Sequence, residues 1–161
     1  MLLPKDDAGR VRTLLTLYRA SRYDALLPDG GTLSLRIGER PPQSLFDWMG
    51  DLALSAYLTA CNPHSMALTA AQNARRMNAL LQELDAAGIA YLRGDGHLPG
   101  ETWREPSVLV KGLDLAAVDA LVRRYEQNAI LVMRPGEACS LRVYRDDWRG
   151  LVLPTADLQW A

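Results

Sequence analysis

The chain has 161 residues, 48% of them hydrophobic and 23% charged, proportions that suit one globular domain. Its formal net charge is −1, so the chain as a whole has no field that would attract nucleic acid or an anionic membrane. No apolar run approaches the roughly 18 residues that span a bilayer, and no signal-peptide pattern is present. Cys61 and Cys139 are far apart in sequence, which favours reduced thiols and predicts a cytoplasmic protein.

The segment before residue 52 predicts two helices separated by a turn and a strand. Residues 10–22 space their apolar side chains roughly as one face of a helix does. Residues 23–31 contain Pro-Asp-Gly-Gly and predict a turn. Residues 32–38, TLSLRIG, alternate apolar and polar side chains, which is typical of a half-buried strand. The proline pair at 41–42 suits the first turn of a second helix.

From residue 52 onward the patterns predict strand, helix, strand, strand, helix, strand and one further strand. These elements span residues 52–60, 70–87, 89–93, 107–111, 114–126, 129–133 and 140–144. The first of the two helices has the clearest ends, because Thr69 and Gln72 form a capping-box pattern and Gly88 can stop the helix. Residues 93–105 are rich in glycine and polar side chains and predict a loop.

This order of elements is that of the ferredoxin-like split βαβ fold. The predicted fold class is therefore α+β, with one sheet and helices packed on it. We predict a single domain over residues 1–161, with the ferredoxin-like core (βαββαβ) at about 52–134. An N-terminal extension, 1–51, contributes the extra strand and helix, and residues 135–161 form a C-terminal hairpin strand and tail. The pattern leaves open whether the extension covers the sheet or adds to it.

In the ferredoxin-like topology the strands lie in the order fourth, first, third, second, with antiparallel neighbours. This order places the end of the first strand beside the starts of the third and fourth strands. Four polar segments are expected to meet there: CNPHS (61–65), RGDGH (93–97), WREPS (103–107) and RRYEQN (123–128). Side chains that are distant in sequence would then form one site.

The residue types at this edge suit a small polar or anionic ligand. Glu105 is the catalytic candidate, since its carboxylate can act as a base or accept a hydrogen bond from a ligand. Arg124 and, with weaker support, Arg76 supply forked donors for a carboxylate or a phosphate, as does Arg93. The neutral donors and acceptors of the predicted site are Asn62, Ser65, Gln127 and Asn128.

The same segments resemble a known family. Over about residues 57–132, five segments in order are similar to a bacterial family of uncharacterised proteins, the domain of unknown function 3293. The segments are NPHS, QN and R, GDG, WREPSVLVKGL and RRYEQNAI. The resemblance implies no activity. The positions that match are Asn62, Pro63, Ser65, Asn73, Arg76, Trp103, Glu105, Pro106, Ser107, Gln127 and Asn128. The resemblance thereby adds Asn73, Trp103 and Ser107 to the ligand-binding candidates.

Each candidate also has a purely structural interpretation. Asn62 and Ser65 can form the turn that ends a strand. Glu105 can pair with a neighbouring arginine, and Trp103 can cover the edge of the core. Asn128 lies where a residue commonly closes a helix.

A metal site or a cysteine nucleophile is disfavoured, and no cofactor is predicted. Cys61 and His64 have acceptable spacing for half of a zinc site, but Asp95 and His97 do not complete it. Cys61, His64 and His97 also lie where members of the resembled family differ. These observations argue against a mechanism centred on cysteine, histidine or metal.

Three functions from different classes remain open. The first is a small-molecule site, catalytic or not, at the predicted edge. The second is a protein-interaction or homodimer module that uses the strand LRVYR or the tail DLQWA for edge pairing. The third and least favoured is an RNA-binding module, because the predicted third strand, SVLVK, carries no aromatic residue for base stacking.

Overall fold

The computed structural model describes residues 6–161. Within them the chain forms four α-helices and eight strands of one curled sheet. The helices are α1 (Ala8–Ala20), α2 (Gln43–Met49), α3 (Ala70–Ala86) and α4 (Leu115–Arg124). The strands are β1 (Arg22–Leu26), β2 (Thr32–Leu35), β3 (Ser55–Leu58), β4 (Tyr91–His97), β5 (Glu105–Lys111), β6 (Ala129–Met133), β7 (Ser140–Val143) and β8 (Leu158–Trp160). Short 3₁₀ turns occur at Pro63–Ser65 and Asp146–Trp148. The predicted α+β class is confirmed.

The strands lie in the order β2-β1-β4-β5-β3-β6-β7-β8. Neighbours are antiparallel except β7 and β8, which are parallel. Tyr57 in the centre of β3 pairs with Leu109 on one side and with Leu131 on the other. The N-terminal extension adds two strands to the sheet beside β4 and also places two helices on it. It therefore both adds to the sheet and covers it, the two possibilities that the sequence left open.

Helices cover both faces of the sheet. The apolar side chains of α1 and α2 pack into one buried cluster, and those of α3 and α4 pack into a second. Strand β5 shows the alternation, since Leu109 belongs to the first cluster whereas Val108 and Val110 belong to the second. Burying one such side chain stabilises the fold by about 1.5–3 kcal/mol. No helix among residues 6–161 has the length and apolar character needed to cross a lipid bilayer.

The predicted helix start at Thr69 is confirmed in detail. The Thr69 hydroxyl accepts from the Gln72 backbone N–H at 3.2 Å, and the Gln72 side chain accepts from the Thr69 backbone N–H at 2.9 Å. Asp114 caps α4 in the same way, by accepting from the Ala117 backbone N–H at 2.8 Å.

The turn predicted for residues 23–31 is wrong over its first part, because residues 22–26 form β1. The sequence RYDAL lacks a clear apolar alternation, and the strand exists because β2 and β4 pair with it on both sides. The predicted C-terminal hairpin strand, β7, pairs with β6. The tail that follows it, which carried no clear pattern, returns as β8 beside β7.

The loop predicted from residue 93 is also wrong at its start, because Arg93 to His97 belong to β4. Gly94 and Gly96 suggested a loop, yet both lie in the sheet, and Gly94 marks a close approach of two strands. A Cβ atom at Gly94 would lie 1.8 Å from the Asp24 carbonyl oxygen of β1. At Gly96 the nearest side chain that a Cβ would meet is the Tyr23 ring, 3.6 Å away.

Candidate functional site

A cavity of about 440 Å³ lies between α1 and the strands at the centre of the sheet. Its volume is in the range of small-molecule sites, and its walls combine apolar side chains with a few polar groups. The apolar and aromatic walls include Leu14, Leu17, Tyr18, Tyr23, Tyr57, Leu98, Trp103, Ile130 and Leu141. The polar walls include Asn62, Ser65, His97, Glu105, Ser107, Gln127 and Asn128. All four polar segments identified in the sequence contribute to this one cavity.

The backbone of CNPHS is held in an unusual conformation at the rim of the cavity. Among residues 6–161, the non-glycine residues with positive φ are Asn62 (46°), His64 (51°), Ser65 (59°) and Glu126 (56°). Such residues cost about 1–2 kcal/mol each, least for asparagine. The His64 backbone N–H donates to the Glu126 carbonyl at 2.7 Å and so ties the turn to the end of α4. Strained backbone of this kind persists where the surroundings hold it firmly, which is common at functional sites.

Asn62 links this turn to the cavity. Its Nδ2 donates to Glu105 Oε2 at 2.9 Å, and its Oδ1 accepts from the Leu68 backbone N–H at 3.0 Å. Asn73 lies behind it and holds it from both sides: its Oδ1 accepts from the Asn62 backbone N–H, and its Nδ2 donates to Asn62 Oδ1, each at 2.9 Å. Asn73 does not line the cavity, so its contribution is to orient Asn62.

Glu105 is a half-buried carboxyl in the cavity wall with an incomplete set of partners. Burial raises its pKa above the ordinary range of glutamate, and the hydrogen bond from Asn62 opposes that shift. No donor among residues 6–161 reaches Oε1. The Ser107 hydroxyl donates to the Glu105 backbone carbonyl at 3.0 Å and not to its side chain. One carboxyl oxygen is therefore free to accept from a ligand.

A second hydrogen-bond network joins α1 to the rim. Tyr18 Oη lies 2.7 Å from Ser65 Oγ, and Asn128 Nδ2 donates to the same Ser65 oxygen at 2.9 Å. Asn128 Oδ1 accepts from the buried Arg145 at 3.1 Å. Burial raises the pKa of Tyr18, so its hydroxyl stays protonated and can donate. This network fixes the position of Ser65 despite its strained backbone.

The three arginines expected at the site lie elsewhere, and Arg93 is exposed in β4 and does not line the cavity. Arg76 Nε donates to the Ala60 carbonyl and its Nη2 to the Tyr125 carbonyl, both at 2.6 Å, so Arg76 joins the end of β3 to the end of α4. Arg124 is exposed and forms an ion pair with Glu83. Neither lines the cavity.

Gln127 and Trp103 do line the cavity, in different ways. Gln127 is buried, and its Nε2 donates to the Cys61 carbonyl at 3.0 Å, which holds the CNPHS turn from below. Trp103 is 51% exposed and stands at the mouth. The burial of Gln127 agrees with a structural role, whereas Trp103 is free to contact a ligand.

Three tyrosines of the wall were missed by the sequence analysis. Tyr18, Tyr23 and Tyr57 belong to α1, β1 and β3, and no local motif joins them. The Tyr23 and Tyr57 rings meet edge to face, with their centroids 5.6 Å apart. The only signal in the sequence was the apolar face of the helix over 10–22, to which Tyr18 belongs.

Metal or thiol chemistry finds little support among the described residues. No group of three or more metal-ligating side chains occurs within residues 6–161. Burial raises the pKa of the Cys61 thiol, which disfavours the reactive thiolate. His97, which lines the cavity, has its Nε2 2.9 Å from Asp24 Oδ2.

The comparison with family models agrees with the resemblance seen in the sequence. The family described as Protein of unknown function (DUF3293) matches residues 58–130. The segment that this family model matches begins at the end of β3 and runs into β6. No curated protein and no solved structure matches the chain. The matched segment contains the CNPHS turn, Glu105 and Asn128, while Tyr18 lies outside it.

Proposed function

We propose that the segment of this chain that matches DUF3293, together with α1, binds a small molecule that has an apolar body and a group that donates a hydrogen bond to Glu105. The observation that carries this proposal is the free Oε1 of a half-buried carboxyl in the wall of a cavity of about 440 Å³. This oxygen faces the cavity without a donor from residues 6–161, so it can accept a hydrogen bond from a ligand bound there. The same burial suits a general acid or base, so Glu105 is also the residue in which we would look for catalysis.

We also infer that β3, α3, β4, β5, α4 and β6 form a ferredoxin-like core. The four strands lie in the order β4-β5-β3-β6 with antiparallel neighbours, which supports this assignment. The assignment explains why the end of β3 lies beside the start of β5, and hence why Asn62 can reach Glu105.

An anionic ligand, which the sequence suggested, is less well supported than a donor. That expectation rested on Arg76, Arg93 and Arg124. No lysine or arginine among residues 6–161 lines the cavity. An anion would therefore face Glu105 without a compensating charge.

The two alternative functions have less support. RNA-binding sheets present an open face, whereas helices cover both faces of this sheet. Edge pairing by the strand LRVYR would need β7 to be an edge, but β8 of the same chain pairs with it. The tail DLQWA contains β8, which lies at the edge of the sheet, so edge pairing through that tail stays a prediction.

A cavity-filling variant tests the proposal. A binding screen of small amines, alcohols, acids and nucleosides, read by thermal shift, is run on the native chain, on Gly96→Val and on Gly150→Val. A side chain at Gly96 enters the cavity beside Tyr23, whereas a Cβ added at Gly150 would have no neighbouring atom within 4 Å and lies outside the cavity. We expect compounds that raise the melting temperature of the native chain and of Gly150→Val but not of Gly96→Val. Hits that are indifferent to Gly96→Val, or a screen without hits, would count against the cavity as a binding site.

A further inference from the structure

The walls of the cavity carry a negative charge that the described residues do not balance. Of the described residues that line it, Glu105 is the one carboxylate and His97 is the one basic side chain. His97 faces Asp24 at 2.9 Å, so a proton on its ring would be matched by that carboxylate. When Glu105 is ionised, its charge therefore has no partner of opposite sign among residues 6–161.

The walls are also rich in aromatic rings. Tyr18, Tyr23, Tyr57 and Trp103 line the same cavity as Glu105. The Tyr23 hydroxyl donates to the Tyr18 carbonyl at 2.8 Å and the Tyr57 hydroxyl to the Asp24 carbonyl at 2.7 Å, so these two rings are held in place. Aromatic rings attract cations through their negative faces, and the attraction grows where water is excluded.

We propose that the ligand of this cavity is an organic cation, an ammonium or quaternary ammonium group on a small apolar body. This inference rests on the proposed function and adds the charge of the ligand to it. The cation supplies the charge that Glu105 lacks, the aromatic rings surround the apolar groups next to that charge, and the leucines of α1 contact the body. A volume of about 440 Å³ accommodates a ligand of this size.

Neutral and anionic ligands fit these walls less well. A neutral alcohol can donate to Glu105 but leaves the carboxylate charge uncompensated in a partly apolar cavity. A carboxylate or phosphate meets no lysine or arginine among the described residues that line the cavity. Charge therefore separates the three classes of ligand more sharply than shape does.

The test uses three probes with nearly the same body and different charges: phenethylamine, phenethyl alcohol and phenylacetate. Dissociation constants are measured by calorimetry at about pH 8, well above the usual glutamate range, so that the carboxyl is ionised. Benzyltrimethylammonium is added as a cation that cannot donate a hydrogen bond. We expect at least one of the two cations to bind about 10-fold or more tightly than the alcohol and phenylacetate.

Variants connect that preference to the residues. Glu105→Gln should remove the preference for the cation, with an affinity loss of about 10-fold, because the amide keeps the shape but not the charge. Glu101→Gln makes the same change of charge on an exposed residue outside the cavity and should bind as the native chain does. Circular dichroism confirms that each variant folds.

The outcomes separate this inference from the function on which it rests. If the alcohol or phenylacetate binds as tightly as the cations and Gly96→Val abolishes that binding, the cavity is a binding site and the organic-cation inference is wrong. If neither cation binds, the inference is also wrong, and the screen with Gly96→Val decides whether the cavity binds anything else. If the cations bind but Glu105→Gln does not weaken them, their site is not this one.

Discussion

Two charged groups near each other in this molecule, the buried Arg145 and the half-buried Glu105, differ in how completely they are paired. Arg145 is 8% exposed and has a full set of partners: Asp147 at 2.7 Å, Asp6 at 3.2 Å and Asn128 at 3.1 Å. Glu105 has one neutral partner, the Asn62 amide, and one free oxygen. Asn128 connects the two regions, because its Oδ1 accepts from Arg145 while its Nδ2 donates to Ser65 at the cavity.

This difference separates a structural charge from one that is available to a ligand. The hydrogen bonds from Arg145 lower the pKa of Asp147, whereas burial raises the pKa of Glu105. The Arg145 cluster therefore contributes stability that is present above the ordinary aspartate pKa and is lost as the pH falls. Glu105 has the opposite sign, since its ionised form is disfavoured by folding. A group that costs stability in this way is expected where function requires it.

The largest expected effect comes from breaking the paired region. Arg145→Ala leaves Asp147 without a cation and Asn128 Oδ1 without a donor, and it leaves Asp6 with Arg10 as its ion-pair partner, so we expect the free energy of unfolding to fall by about 3 kcal/mol. Urea denaturation followed by circular dichroism measures it. Arg149→Ala, which removes an exposed pair with Asp146, is the matched control and should change stability little. Similar losses in both variants would contradict a structural role for Arg145.

The next effect tests how the rim supports Glu105. Asn62→Ala removes the hydrogen bonds to Glu105 and Asn73 and places alanine at a φ of 46°, so we expect a loss of about 2 kcal/mol in stability. Asn62→Gly lacks the same hydrogen bonds but accepts this backbone, and it should recover about 1 kcal/mol of that loss. Equal stabilities of the two variants, in the same denaturation experiment, would show that the backbone at Asn62 is not strained.

Neutralising Glu105 should raise the free energy of unfolding, by less than the losses expected for the two variants above. Because burial raises its pKa, folding is penalised above the folded pKa, and the penalty disappears as the pH falls through that pKa to below the usual glutamate range. We expect Glu105→Gln to be more stable than the native chain by about 1 kcal/mol at neutral pH, with the difference shrinking on acidification. The comparison is made by denaturation across a pH series.

Two outcomes would weaken the contrast between the regions. A Glu105→Gln variant that is less stable at neutral pH would mean that the carboxylate is stabilised in the folded state. A gain equal to that of Glu101→Gln would mean that general surface charge is responsible, because Glu101 is exposed and lies outside the cavity.

The smallest effect is expected from Tyr18→Phe. Ser65 and Asn128 remain hydrogen-bonded to each other without the hydroxyl, so stability should fall by only about 0.5 kcal/mol. Tyr91→Phe, which removes a hydrogen bond to Asp85 at the surface, is the control for loss of a tyrosine hydroxyl. A loss of several kcal/mol in Tyr18→Phe alone would place Tyr18 with the structural cluster around Arg145 and not with the cavity.

Much of the fold was predictable because its signals are local. The capping box at Thr69, the cap at Asp114 and the alternation in residues 32–38 each report on neighbours within one turn or one strand. The errors occur where pairing overrides the local pattern. Gly94 is typical of a loop, but it lies in a strand because the backbone of Asp24 approaches it.

The site divides in the same way. The amino-acid sequence by itself was enough to predict that the polar segments at the end of β3 and at the starts of β5 and β6 lie together. The prediction was possible because the order of elements indicates which strand ends are neighbours. Only the tertiary structure decided that Arg76 and Arg124 bind elsewhere, that Tyr18 of α1 reaches Ser65, and that Glu105 keeps a free oxygen. The physical reason is that a side chain's charge environment depends on which groups pack around it from other elements, and no local pattern records that.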